Sequence, residues 1–291
     1  MAKKIIKREH YQEPVGRSLF IYAGHICNNN CIFCFEKDQQ FSEKNTKSLK
    51  KEIKVIRENF EVINFMGREP TLRKDLAELI LYAKKLGFSQ IGLTTNGRML
   101  AYADLAKRLV DSGLTQFVIT VAGADEATHD WHTQSKGSFA QTLAGIKNAF
   151  LLRGRGVSVV VNIMVTRKNF KQLVKMVDFY VMLGAKEINI GHILPFNQEI
   201  INSKKLIAKM SEVAPYLIKI EGRYGQKIKL LFVEYPPCVF PEKYRHLSFP
   251  CLEESPQKIK FALCSACSRQ EKCAGIHPYY INLYGTEEFK L

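Results

Sequence analysis

The sequence lacks the apolar amino-terminal block of a secretory signal, because residues 1–14 alternate charged residues with short apolar pairs. It also lacks a credible membrane span. The uncharged run over residues 18–35 is long enough, but Asn28, Asn29 and Asn30 in its middle would be prohibitive in hydrocarbon. We therefore expect a cytoplasmic protein without a membrane partner, whose eight cysteines are reduced thiols or metal ligands rather than disulfides.

The net charge of +15 raises the question of a polyanionic partner. In the stretch NTKSLKKEIKVIREN, however, basic residues are interleaved with acids along a helix face. No motif that combines aromatic and basic residues accompanies the charge. We favour a solvated surface and keep a nucleic-acid partner as the alternative.

From residue 18 to about residue 195, short β-branched runs alternate with amphipathic helical stretches. The predicted strands are SLFIYAGHI, EVINFMG, QIGLTTN, QFVITVAG, VSVVVNIMV and EINIGHI. Gly87, Gly113 and Gly184 are expected to end three of the intervening helices as left-handed caps. Six successive β/α steps predict parallel strands, with functional residues in the loops that follow them. We predict an α/β fold, a partial TIM barrel (β/α)6; a doubly wound sheet is the alternative.

After residue 197 the alternation stops. Residues 202–225 predict one long helix and residues 227–235 one more strand, followed by an irregular, proline-rich tail with five cysteines. A tail this poor in regular elements needs further stabilisation, and inside a reducing cell we expect bound metal to provide it. We divide the chain into a core over residues 1–196 and a small cluster-binding module over residues 197–291.

The segment after the first strand contains Cys27-x3-Cys31-x2-Cys34. Three thiolates at this spacing can hold a cubane [4Fe–4S] cluster but leave one iron open to a ligand from outside the protein. A zinc site with His25 or a distant residue as the fourth ligand is the alternative.

This pattern resembles the radical SAM superfamily, whose first βα loop carries Cys-x3-Cys-x2-Cys with an aromatic before the third cysteine, here Phe33. The stretch FMGREPTLR after the second strand is similar to the family's Gly-Gly-Glu-Pro motif. The resemblance implies that Gly67, Glu69 and Pro70 bind S-adenosylmethionine (SAM), with Glu69 receiving its ammonium group. Arg68 replaces the family's second glycine.

Three further strand ends extend the resemblance. The turn LTTNG makes Thr95 and Asn96 candidate SAM contacts. In the fourth strand Thr120 keeps a hydroxyl where many members have Ser-x-Asp-Gly, but Ala122 replaces the acid. Asn162 matches a polar position of the fifth strand that often faces the cofactor.

The tail is similar to the SPASM and twitch modules of radical SAM enzymes, which bind an auxiliary cluster. It carries Cys264-x2-Cys267-x5-Cys273. For the fourth ligand we favour Cys238 over Cys251. A second [4Fe–4S] cluster is the preferred interpretation, and structural zinc is the alternative.

The resemblance implies reductive cleavage of SAM to a 5′-deoxyadenosyl radical that abstracts hydrogen from the substrate. It also implies an electron donor such as a flavodoxin or a ferredoxin. By family analogy the substrate is a peptide or protein side chain. The alternatives are modification of RNA or a nucleotide, and a scaffold that binds iron–sulfur or zinc without catalysis.

Near the active-site edge, His129, Asp130 and His132 follow the fourth strand. They could act as acid–base groups. We favour a role for His129 and Asp130 in ordering the loop, since hydrogen abstraction needs no acid–base pair in its first step.

Overall fold

The structure is a computed structural model that describes residues 18–34, 36–37, 43–193, 203–248 and 258–290. Within these residues seven strands form one sheet, and each strand pairs in parallel with the next strand along the chain. The strands are β1 (Ser18–Gly24), β2 (Val62–Gly67), β3 (Gln90–Thr95), β4 (Gln116–Val121), β5 (Ser158–Val165), β6 (Glu187–His192) and β7 (Lys229–Val233).

Helices connect the strands and follow the last one. They are α1 (Thr46–Arg57), α2 (Leu76–Lys85), α3 (Ala103–Asp111), α4 (Glu126–Thr133), α5 (Ser138–Leu151), α6 (Leu173–Met182), α7 (Met210–Tyr224) and α8 (Pro278–Tyr284). This arrangement confirms the predicted α/β partial barrel. In the described residues, no helix has both the length and the apolar character that crossing a bilayer requires.

One face of the sheet is fully buried at its centre, whereas side chains on the opposite face, such as Asn64, Thr94 and Thr120, are half-buried. Phe65 on β2, Phe117 on β4 and Val161 on β5 are fully buried on the first of these faces. The predicted caps are confirmed, because the φ angles are positive: 82° at Gly87, 115° at Gly113 and 111° at Gly184.

Because all the strands are parallel, their carboxyl ends lie at the same edge of the sheet, where the candidate site is found.

The sheet has seven strands where six were predicted for the barrel. The strand predicted in the tail is β7, and it pairs with β6 from Glu187 opposite Lys229 to Gly191 opposite Val233. The predicted domain boundary after residue 196 lies outside the described residues and stays a prediction.

The long helix predicted over residues 202–225 is wrong in its first part, since α7 begins at Met210. Ile207 and Ala208, which precede this helix, are buried. Their carbonyl groups form hydrogen bonds with side chains that are distant in sequence. The Tyr284 hydroxyl donates to Ile207 O over 2.7 Å, and a ring nitrogen of His192 lies 2.9 Å from Ala208 O. These tertiary contacts take the place of helical hydrogen bonds.

Two local predictions also change. The first strand ends at Gly24, two residues earlier than predicted. The segment with His129, Asp130 and His132, predicted as a loop, is the helix α4. Its first turn is capped by Asp125, whose side chain accepts from Thr128 N over 2.8 Å, a common helix start signal.

Candidate active site at the carboxyl edge of the sheet

The segment Cys27–Cys34, here called the cysteine loop, follows β1 at the carboxyl edge. Its three cysteines are half-buried. Burial is the largest cause that raises the pKa of each thiol, and neighbouring thiols add to the increase at Cys27 and Cys31. The three thiols therefore lie close enough to repel one another as thiolates, and bound positive charge would be needed to keep them deprotonated together.

The cysteine loop is tied to the end of α4. Asn30 N donates to Thr133 O over 2.9 Å, and Ile32 N donates to His132 O over 3.0 Å. These carbonyl groups belong to the last turn of α4, which has no helical donors for them. The unpredicted helix thus supports the loop that carries the thiols.

The loop after β3 reaches the cysteine loop through Asn96. Its Nδ2 donates to Asn28 Oδ1 over 2.7 Å and lies 3.8 Å from Cys27 Sγ. Arg98 follows two residues later and donates to Asn28 O and to Asn29 Oδ1, the latter over 2.8 Å. The sequence motifs do not single out Arg98; the available signal is a cation directly after the Thr-x-Asn-Gly turn.

Glu69 is fully buried beside this loop and accepts four hydrogen bonds. Oε1 accepts from Thr71 N over 3.2 Å, from the Thr71 hydroxyl and from Thr95 Oγ1 over 2.6 Å, while Oε2 accepts from Asn96 N over 2.8 Å. Burial raises the pKa of Glu69, and these donors oppose the increase. No ion pair to Glu69 occurs among the described residues, so a ligand ammonium would supply its missing counter-charge.

Two glycines let Glu69 approach the end of β1. Gly67 has a φ angle of 108°, and a Cβ at this position would lie 2.7 Å from Gly24 O. Glu69 N donates to Ile26 O over 3.0 Å in the same turn. Pro70 begins the short 3₁₀ helix Pro70–Leu72, as its fixed φ favours. Gly67 is therefore required for both backbone conformation and space.

The remaining predicted SAM contacts lie further along the edge. Thr120 and Asn162 are neighbours on β4 and β5, and Asn162 Nδ2 donates to Thr120 Oγ1 over 3.3 Å. Phe33 is half-buried, and its ring centroid lies 6.2 Å from that of His132. The described contacts do not link these three residues to Glu69, so their roles stay predictions.

The polar residues of α4 stabilise structure. Asp130 Oδ1 accepts from Phe139 N over 2.8 Å and from Ser138 Oγ over 2.7 Å, and Oδ2 accepts from Gly137 N over 2.5 Å. Burial lowers the pKa of His129 to about 4, so that its ring is neutral near neutral pH. Asp130 thus holds the start of α5, and the pattern favours the ordering role over acid–base chemistry.

Three tail cysteines influence the pKa of Cys238, although Cys238 is distant from them in sequence. Burial, followed by the charges of Cys273, Cys264 and Cys267, raises the pKa of Cys238 to about 12. Cys251, the other candidate for a fourth ligand, lies outside the described residues. Among the residues that the structure does describe, no three His, Cys, Asp or Glu side chains are grouped around a point where one metal ion could bind.

Comparison with known proteins identifies the family. Residues 21–180, more than half of the chain, match the model of the Radical SAM superfamily. The chain belongs to the radical SAM superfamily. Membership implies an enzyme that uses SAM and a [4Fe–4S] cluster, in agreement with the strand-end motifs.

Curated relatives include a probable GTP 3',8-cyclase of Saccharolobus islandicus, 31% identical over 183 residues, which are 61% of this chain and 57% of the relative. A probable GTP 3',8-cyclase of Sulfurisphaera tokodaii is 28% identical over 62% of this chain and 58% of its own. The chain thus matches less than two thirds of the length of these curated relatives.

Solved structures share the fold of this radical SAM protein at low sequence identity. Streptococcus suis SuiB bound to S-adenosylmethionine has a TM-score of 0.68 and 14% identity, with 94% of this chain and 75% of SuiB covered. The structure of anSMEcpe with bound AdoMet and the Kp18Cys peptide has a TM-score of 0.57 and 17% identity. The match covers 73% of this chain and 63% of anSMEcpe.

Proposed function

We propose that Cys27, Cys31 and Cys34 hold the [4Fe–4S] cluster and that Glu69 binds the ammonium group of SAM. The main support is the geometry of Asn96. Its backbone amide donates to the buried Glu69 carboxylate, and its side-chain amide lies beside Cys27 Sγ. Three of the hydrogen bonds to Glu69 reach Oε1 and one reaches Oε2, so Oε2 keeps an acceptor site for a further donor. A charged donor suits this site because it neutralises a buried carboxylate.

The bound cofactors would supply a 5′-deoxyadenosyl radical that abstracts a hydrogen atom from the substrate. The chain's residues orient SAM and limit access of water. Asn96 places one donor on Glu69 and another beside Cys27, which aligns the two binding sites. We propose that Phe33 shields the cluster or stacks near adenine, and that Thr120 and Asn162 provide polar contacts to SAM.

For the tail we propose a second [4Fe–4S] cluster held by Cys238, Cys264, Cys267 and Cys273. The mutual effect of the four thiols on the pKa of Cys238 supports this ligand set. Four thiolates supply one ligand to each iron and leave no iron open to substrate. Such a cluster would stabilise the tail or transfer electrons. A zinc ion bound by the same thiols is the alternative.

A peptide or protein side chain is the first candidate substrate. The supporting observation is the fold match to SuiB, which covers 94% of this chain and therefore extends into the tail. SuiB has also been solved bound to the precursor peptide SuiA. Because one fold supports many reactions, this similarity defines only a class to test.

The second candidate substrate is a free nucleotide or a nucleotide within RNA. Two observations favour it: 31% identity to a probable GTP 3',8-cyclase and the net charge of +15, which suits an anionic ligand. The similarity covers 61% of this chain. Binding that weakens steeply with salt would support an extended nucleic acid over a free nucleotide.

For the electron donor we propose an acidic redox protein such as a flavodoxin or a ferredoxin. The groove between α1 and α2 has a volume of about 440 Å³ and is lined by four lysines and one acid, Glu78, which pairs with Lys50 over 2.6 Å; the other lysines are Lys47, Lys51 and Lys54. A basic surface speeds association with an acidic partner, and the effect decreases with ionic strength.

The test uses protein that is reconstituted anaerobically with iron and sulfide. Iron is counted, dithionite and SAM are added, and 5′-deoxyadenosine is measured by mass spectrometry. We expect about eight irons per chain, since two cubanes contain four each, together with 5′-deoxyadenosine. Four irons with one zinc would support the zinc alternative. A fully loaded protein that forms no 5′-deoxyadenosine with any candidate substrate would support the scaffold alternative.

The same assay separates the substrate classes. GTP, an RNA pool and peptides are added in parallel, and faster formation of 5′-deoxyadenosine identifies the class that binds productively. Stimulation by GTP alone would overturn the peptide proposal. Stimulation by peptides alone would overturn the nucleotide proposal.

A further inference from the structure

Two arginines contact the backbone around the proposed cluster ligands from opposite ends. Arg98 follows β3 and contacts the segment between Cys27 and Cys31. Arg68 follows β2 and contacts residues just after Cys34. Neither side chain belongs to the set of cofactor-binding residues expected from the family motifs.

Arg98 joins three parts of the edge. Its Nη1 donates to Asn28 O and, over 2.8 Å, to Asn29 Oδ1. Its Nε donates over 2.6 Å to Gln141 Oε1 on α5. A planar guanidinium with several fixed donors can hold such acceptors simultaneously, whereas a lysine ammonium offers one flexible point charge. Arg98 therefore restrains the first half of the cysteine loop against a core helix.

Arg68 restrains the other end. Its Nη2 donates to Glu36 O over 3.2 Å and to Lys37 O over 3.3 Å. Arg68 stands between Gly67 and Glu69, so the turn that carries the proposed SAM ligand also holds the chain that leaves Cys34. A glycine at this position, as in the family's motif, would have no side chain to make either contact.

Both arginines also bring positive charge to this site. A cluster held by three thiolates becomes more negative when it accepts an electron, and nearby positive charge stabilises the reduced form more than the oxidised form. Arg68 and Arg98 are half-buried residues, so solvent screens their charge less than that of fully exposed residues.

We propose that Arg68 and Arg98 are positioning residues that hold the cysteine loop in its cluster-binding conformation and raise the reduction potential of the cluster. The proposal rests on the proposed function for the identity of the bound group. Its structural part, restraint of the loop, applies to the chain without iron as well.

The experiment compares full-length protein with Arg68→Met, Arg98→Met and Arg98→Lys. Arg57→Met is the matched control, because Arg57 is also half-buried and donates over 3.2 Å to a backbone carbonyl, Leu86 O, on the outer helices. Hydrogen–deuterium exchange of peptides from residues 25–37 is measured without iron. Reconstituted protein is then followed for iron loss to a chelator, and the reduction potential is determined by an electron paramagnetic resonance titration.

We expect both methionine variants to exchange faster in the loop, to lose iron at least about tenfold faster and to have a more negative potential. The signal that changes on addition of SAM identifies the first cluster. Arg98→Lys should recover the potential, because it keeps the charge, but should still lose iron quickly because it lacks the planar donor array.

Loop exchange, iron loss and potential equal to those of Arg57→Met in both methionine variants would overturn the proposal. Faster exchange and iron loss with an unchanged potential would overturn its electrostatic part. If the wild-type protein binds no iron at Cys27, Cys31 and Cys34, the proposed function is overturned instead. The exchange measurement would then still decide whether the arginines restrain the loop.

Discussion

The backbone amide of Asn96 donates a hydrogen bond to Glu69 Oε2 over 2.8 Å, which joins the turns that follow β2 and β3. The two residues are 27 positions apart in the sequence. Together with the Thr95 hydroxyl, this bond orients a carboxylate that has no access to solvent. Glu69 is thereby held ready for a cationic ligand and needs little rearrangement to bind one.

Replacement of Glu69 tests this geometry. Glu69→Gln should reduce SAM affinity by about ten- to hundredfold, because a hydrogen bond to a charged group contributes about 1.5–3 kcal/mol. Equilibrium binding of SAM to reconstituted protein measures the change. Glu58→Gln, an exposed position at the end of α1, is the control. Equal affinity in both variants would exclude Glu69 as the ammonium ligand.

The pH dependence of SAM binding should report the same group. Burial raises the pKa of Glu69 above the usual range of a carboxyl group, and only the ionised form attracts an ammonium. Affinity should therefore fall as pH decreases through this raised pKa. Glu69→Gln should lose this dependence. A wild-type dependence that persists unchanged in the variant would assign it to another group.

Protein stability should show the opposite trend. The folded state retains the Glu69 proton to higher pH than the unfolded state, so between the two pKa values the folded form binds more protons. The contribution of Glu69 to the free energy of unfolding then falls as pH rises through that interval. Denaturant unfolding of iron-free protein measures it. Glu69→Gln should show a smaller decrease in stability over the same interval.

Gly67→Ala should destabilise the protein more than alanine replacement of another glycine that has a positive φ angle but open space around it. Gly156→Ala is the matched control, since Gly156 has φ 79° with nothing within 4 Å of an added Cβ, and should cost about 1–2 kcal/mol. At Gly67 the contact with Gly24 O adds about 1–3 kcal/mol. Thermal unfolding of both variants checks the difference, and equal melting temperatures would contradict the steric argument.

The two cysteine clusters should lose iron independently. Cys31→Ala should retain about four irons and form no 5′-deoxyadenosine, because one proposed ligand of the first cluster is missing. Cys238→Ala should lose iron from the tail, whereas Cys251→Ala should keep about eight irons. Iron and sulfide counts on each variant decide between the two candidate fourth ligands. Iron loss confined to Cys251→Ala would reverse the assignment.

Much of the fold follows from local patterns in the sequence. The helix caps at Gly87, Gly113 and Gly184 could be predicted because a left-handed residue ends a helix locally. The start of α7 at Met210 could not, because Ile207 and Ala208 give their carbonyl groups to side chains that are remote in sequence. Helix α4 could not be predicted either, because the polar residues of its segment are equally common in loops.

The sequence by itself determined the spacing of Cys27, Cys31 and Cys34 and the order of the strand-end motifs, because both are local along the chain. It also predicted Glu69 and Asn96 as site residues. Only the tertiary structure decided that Asn96 donates to Glu69, that the charges of the other tail thiols act on Cys238, and that Arg98 donates to Asn28. Such contacts join distant segments, and they depend on how the parallel sheet brings its loops to one edge.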